Sequence, residues 1–208
     1  MKPTTNLIKA SCAALLALAL IACATKMSQQ DRLALKRVSI GAIELPEKPY
    51  VLAPGSGGAA LVGGALGMAL ANSSSDMPTA LKNYAAKNNI DVSVYLRREL
   101  VSQLGSKGIE VVDGNRGDAV LVVQVLQYGL TGPFNSDDRF PFVQLRLSLM
   151  SNKGERIWLG YAASHLMESK TTGVEPRPVP DFFKDPKLLD REFRKVTNIV
   201  VSSATKDL

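Results

Sequence analysis

Two periods of apolar residues run along the chain. Arg37-Val38-Ser39-Ile40-Gly41-Ala42-Ile43 alternates with a repeat of two and predicts a first strand. Val92, Leu96, Leu100 and Leu104 recur every four residues, with Tyr95 and Val101 beside them. That spacing predicts a helix capped by Asp91 and closed near Gly105 or Gly108. Ile109 to Val112 reads as a short strand, followed by the turn residues Asp113-Gly114-Asn115. Asp118 to Tyr128 is apolar on both faces, as expected of a central strand. From Phe142 to Met150, Val143, Leu145, Leu147 and Leu149 alternate with Phe142, Gln144, Arg146 and Ser148, so the first face should be buried and the second wet. Asn152-Lys153-Gly154 predicts a hairpin turn into a return strand from Arg156 to Met167. Residues Ser169 to Pro186 read as a Pro-rich loop. A last helix from Lys187 to about Lys206 carries Leu189, Phe193, Val196 and Val200 on one stripe. This order predicts an α+β fold: a single mixed, mostly antiparallel sheet with two main helices packed on one face. A Gly/Ala-rich insert at about 55–75 interrupts it.

The first 23 residues follow another logic. Lys2 and Lys9 precede Ala10 to Ala22, an uncharged and mostly apolar run. A transmembrane helix needs about 20 apolar residues, so the run fits a secretory signal instead. At its end, Leu20-Ile21-Ala22-Cys23 resembles the lipobox of bacterial lipoproteins. The resemblance implies that a diacylglyceryl group joins the Cys23 thiol, that cleavage falls before Cys23, and that the new amine is acylated. It also implies sorting to the periplasmic face of the outer membrane, because Ala24 stands where an aspartate would signal inner-membrane retention. The expected organisation is a signal peptide over 1–22, a lipidated tether over 23–35, and one domain over 36–208. Cys12 lies within the leader, so processing and acylation would leave no free thiol.

Charge narrows the partners. The 208 residues include 25 basic and 19 acidic ones, net +6. No basic run exceeds two residues, and no stripe suited to nucleic acid is present. The expected partners are the membrane, through the lipid on Cys23, and another envelope protein; nucleic acid is not expected, and the oligomeric state is left open. No cofactor is expected. The helix LRRELVSQLGSKGIEVVD and the strand DAVLVVQVLQYG together resemble the small domain of ABC-transport auxiliary lipoproteins. More distantly, they resemble the amino-terminal domain of the Tol–Pal translocation protein and the curli-secretion lipoprotein. The likeness covers about 35 residues of pattern. The lipid, the absence of catalytic motifs and the plain domain together lead to the expectation of a non-catalytic accessory or assembly subunit of an envelope machine.

The insert holds the least ordinary chemistry. Residues Pro49 to Ser75 carry no charge, and Ala59, Gly63, Gly67 and Ala71 fall four apart. A helix there would present a small-residue stripe for close helix approach, with Leu61, Leu66, Met68 and Leu70 as the larger contacts. Three readings stay open: packing on the chain's own sheet, a partner or self-association surface extending to an oligomeric pore or secretion component, and contact with lipid. The 13 residues from Ala59 to Ala71 are too few to span a bilayer.

The remaining chemistry is sparse. His165 is the sole histidine, placed on the return strand with Ile157, Leu159 and Tyr161, and reads as a packed or edge residue. Trp158 faces the other way and reads as sheet cover. Asp137-Asp138-Arg139 reads as a solvated turn, and Pro176-Arg177-Pro178-Val179-Pro180 as a stiff extended segment. No phosphate loop, serine elbow or HExxH motif is present. An envelope hydrolase would have only Ser, Asp, Glu and His165 to work with.

Overall fold

A computed structural model of the protein describes residues 27–52, 77–114, 116–132, 136–166 and 173–208. Among these residues seven strands form one open mixed sheet: β1 (Arg37–Glu44), β2 (Tyr50–Val51), β3 (Glu110–Val112), β4 (Ala119–Thr131), β5 (Asp138–Ser151), β6 (Arg156–Ala163) and β7 (Arg177–Pro178). The order is β3-β1-β4-β5-β6, with β2 added to β4 and β7 to β5. β1 runs parallel to β3 and β4, whereas β4, β5 and β6 form the antiparallel meander expected from the alternating runs.

Five α-helices accompany the sheet among the described residues: α1 (Gln29–Ala34), α2 (Met77–Lys87), α3 (Val92–Ser106), α4 (Val179–Lys184) and α5 (Pro186–Ala204). The two long ones, α3 and α5, pack on each other and on the sheet. Asp91 caps α3 as predicted, its carboxylate accepting from Ser93 N at 2.8 Å and Val94 N at 3.3 Å. The helix ends at Ser106, and Gly108 takes φ +75°, a backbone state that favours glycine. The stripe of α5 is buried over four turns: Leu189, Phe193, Val196 and Val200, flanked by Leu188, Thr197 and Val201. Thr197 and Thr205 sit in the core because each hydroxyl donates to the carbonyl four residues back. Against these helices the sheet turns Val38, Leu121, Leu145, Leu147 and Leu149, all without solvent exposure. Trp158 joins them at 1% exposure.

Several expectations shift. β4 is central in the sheet, but among the described residues helices cover only one of its faces, and Val122 on the other is 44% exposed. Val101 of α3 is likewise exposed rather than core. The return strand stops at Ala163, where a 3-10 turn over Ser164–Leu166 begins, so His165 lies off the strand. There the Ser164 hydroxyl takes over from a strand partner, accepting from Val143 N at 3.0 Å and donating to Val143 O at 3.3 Å. The segment from Ser169 to Pro186 is more ordered than a loop, since its described part holds β7 and α4. Arg177 and Pro178 pair with Arg139 and Asp138, so only these two residues of the Pro-rich run form a strand, and α4 starts at Val179. Asp137-Asp138-Arg139 is not a solvated turn: β5 begins at Asp138 and Arg139 is 1% exposed.

The polypeptide ahead of β1 is part of the packed body. Met27 and Leu35 are buried in the common core. Ser28 caps α1 by accepting from Asp31 N at 3.1 Å, and the Arg32 guanidinium donates to Asp207 O at 2.8 Å. Among the described residues no helix is long and apolar enough to cross a membrane.

Candidate functional site

Cys23 and the insert contacts Leu61, Leu66, Met68 and Leu70 lie outside the described residues. The structure fixes instead the places where those two segments join the domain, and they are at opposite ends of the sheet. The amino-terminal segment enters at Met27 and α1, beside the starting ends of β1 and β4: Lys36 N and Arg37 N both donate to Asp118, at 3.1 and 2.8 Å. The insert leaves after β2, whose Tyr50 and Val51 pair with Gly129 and Leu130 at the finishing end of β4. From Ala119 to Gly129 an extended strand covers about 33 Å at ~3.3 Å per residue.

At the insert end the junction is held by a buried cation. The Arg139 guanidinium donates to Leu52 O at 2.9 Å, Ser136 O at 2.6 Å and Asp138 O at 2.8 Å. Leu52 N in turn donates to Leu130 O at 2.9 Å. A buried charge requires such satisfaction, and a planar guanidinium can serve several carbonyls from one position. Periodicity carried the signal for this residue: two steps of two back from Val143 along the buried face of β5 lead to Arg139.

Beneath α2 lies a groove of about 520 Å³, open to solvent, with Leu45, Leu81, Ala85, Tyr128 and Phe193 among its walls. Its polar groups are few. Lys82, Asn89 and Asp91 contribute them, and the Asp91 carboxylate is engaged in capping α3. Burial, helped by the Asp91 charge, raises the Tyr128 phenol above its ordinary value, so it stays protonated and neutral.

Several other ionisable groups hold elements together. Between α3 and α5 the Tyr95 hydroxyl donates to Asp190, and Arg194 donates to the same carboxylate at 2.8 Å while lying 4.1 Å from the Tyr95 ring centre. Burial alone would raise Asp190, but the hydrogen bonds from Arg194 and Tyr95 outweigh it and hold the carboxyl below its usual range. Glu192, nearly buried on α5, pairs with Arg191 and Lys195, both at 3.0 Å. Lys195 also donates to Gly173 O, tying the returning chain to the helix. His165 packs edge-on to Phe142 with ring centres 5.1 Å apart. Among the described residues its buried Nδ1 has no hydrogen-bond partner, and burial lowers its pKa below 6.5. Among the described residues no three His, Cys, Asp or Glu side chains are grouped to hold a metal ion.

No family model matches the chain, and no curated protein matches it. Solved structures similar to it are remote. A PelC dodecamer from Paraburkholderia phytofirmans is 12% identical, with a TM-score of 0.35 over 89% of this chain and 96% of that one. A minor lipoprotein from Acinetobacter baumannii is 10% identical, with a TM-score of 0.36 over 83% of this chain and 96% of that one. For a Xanthomonas campestris protein the TM-score is 0.37 at 12% identity, and this chain spans 58% of its length.

Proposed function

We propose that this chain is a lipid-anchored protein of the bacterial envelope, held by acyl chains on Cys23, which works without catalysis as an accessory or assembly subunit of an envelope machine. The observation that carries the reading is Leu20-Ile21-Ala22-Cys23 at the end of an apolar run that two lysines precede. A small residue at 22 suits cleavage, and a thiol at 23 is the one nucleophile there that can accept the lipid. Each buried methylene contributes roughly 0.8 kcal/mol, so two or three long chains hold a protein on a membrane almost permanently. The packed body takes up only four residues later, at Met27, which leaves little free chain between anchor and domain. The engagement of Asp91, Asp190 and Glu192 in caps and ion pairs supports a binding rather than a catalytic role. Ala24, in place of aspartate, supports the outer membrane as destination.

Cells fed an alkyne analogue of palmitate test this. The wild-type protein is expected to carry label and to fractionate with the outer membrane. Cys23→Ser is expected to lose the label and to remain in uncleaved form. An unlabelled, soluble wild-type protein would remove the foundation of the reading.

The stripe Ala59, Gly63, Gly67 and Ala71 favours a second reading, an oligomeric pore or secretion component assembled through the insert. Its test is the mass of the purified protein in detergent: a monomer at every concentration rules it out.

A further inference from the structure

We infer that the α1 end of the domain is a membrane-docking surface, which sits in the lipid interface while the β2 end points away from the bilayer. This rests on the proposed lipid at Cys23. The first support is reach. Three residues separate Cys23 from buried Met27, so the anchor lies within four steps, about 14 Å, of Met27 at the ~3.3–3.6 Å per residue of extended chain. Two residues further on α1 begins, and the hydrogen bond from Arg32 to Asp207 O fixes it against the body. The lipid therefore draws this end, and no other, toward the bilayer.

The second support is what this end presents. Leu33 is 67% exposed, the largest exposure of any large apolar side chain among the described residues. It projects from a helix whose other large apolar neighbours, Met27 and Leu35, are buried. Arg32, Lys36 and Lys206 lie exposed at this end, balanced by Asp31, Glu110 and Asp207, while Arg37 and Asp118 neutralise each other at 3.3 Å. An apolar tip beside long cationic side chains matches a lipid interface: Leu33 enters the acyl boundary and the cationic ends remain among the headgroups. The charges balance, so the anchor and Leu33 set the orientation, which should survive added salt.

The consequence for the rest of the molecule is geometric. Tyr50 stands at the finishing end of β4, about 33 Å along the sheet from Ala119. The junctions at Leu52 and Met77 accompany β2 and α2 on that side.

The test uses the full lipidated protein in vesicles of phosphatidylethanolamine and phosphatidylglycerol, with an environment-sensitive fluorophore on Leu33→Cys, on Lys36→Cys or on Tyr50→Cys. Cys23 is blocked by its lipid, so the introduced thiol takes the label. Lipids bearing a nitroxide near the headgroup act as quencher. The expected result is quenching of at least twofold at 33 and 36, unchanged at high salt, and none at 50. Labelling Lys36 guards against a fluorophore at 33 creating its own apolar contact. Quenching at all three positions means a domain lying flat, and quenching at 50 alone or at none means another orientation; each overturns the inference. Intact mass separates the underlying reading: without acyl chains on Cys23, the anchor and the orientation fall together, whereas acylated protein without quenching at 33 and 36 overturns only the orientation.

Discussion

Replacing Arg139 by methionine removes the cation that fastens the insert junction while keeping an apolar stem of similar length. Three carbonyls, of Leu52, Ser136 and Asp138, lose a charged donor. A buried acceptor left alone costs about 1–3 kcal/mol. The three sit at one end of the sheet, where a shift of the backbone admits water, so the costs will not add in full. Removing a desolvated charge also returns part of the loss. The expected net destabilisation is about 2–4 kcal/mol. For a domain of this size that corresponds to a fall in Tm of roughly 5–15 °C. Urea denaturation gives the free energy, and hydrogen exchange locates it. The Leu52 amide, which donates to Leu130 O, should lose protection ahead of the amides of α5. Arg139→Lys keeps the charge but not the planar fork, and should fall between the two proteins. A methionine variant within about 0.5 kcal/mol of wild type, the range of an inert surface change, would refute the assignment of Arg139 as the clasp.

Other expectations follow from single contacts. A Cβ on Gly160 would meet the Ala204 carbonyl and the Trp158 ring at 2.3 Å, so Gly160→Ala should destabilise by about 1–3 kcal/mol in urea titration; an unchanged midpoint contradicts the tight seating of α5 on β6. Asp118 is held below its ordinary 3.8 by the backbone donors of Arg37 and Lys36, so its contribution is complete above about pH 4 and is lost as pH falls through the lower folded value. The deficit of Asp118→Asn against wild type should therefore be present at pH 6 and shrink by pH 2.5; a constant deficit rules out this linkage. His165 has the opposite consequence: burial lowers its folded value, so the unfolded chain takes the proton first and stability declines as pH drops below about 6.5. It is the only histidine, so His165→Gln should flatten the stability profile between pH 7 and 5, and an unaltered slope argues against its burial.

Much of this architecture could be read in the chain because its long elements each bury one regular face. The four-residue repeat from Val92 to Leu104 and the stripe from Leu189 to Val200 return as α3 and α5, and the alternation from Val143 to Leu149 as β5. What escaped has little periodic signal. Helix α2 buries only Met77 and Leu81 among alanines, lysines and asparagine, with a proline at its second position. The pairs Tyr50–Val51 and Arg177–Pro178 are strands only because β4 and β5 run long enough to offer them partners. The open face of β4 was misread because Val120 and Val122 have strand propensity whether or not a helix covers them. The candidate site was legible in part. Arg139 could have been found by carrying the β5 alternation back two steps. Leu33 could not, since its exposure depends on how α1 meets the carboxyl-terminal turn.

Ser164 bears on how this fold can vary over evolution. β6 ends at Ala163, and one hydroxyl then occupies both the donor and the acceptor of Val143. The chain returns at Gly173, where Lys195 holds its carbonyl. Each of these two fastenings is thus made by one side chain rather than by a run of ladder bonds. Substitutions at Ser164 or Lys195 should therefore change this edge of the fold while leaving the ladder of β4 and β5 in place, so homologues should vary in how this edge is closed more readily than in the meander itself.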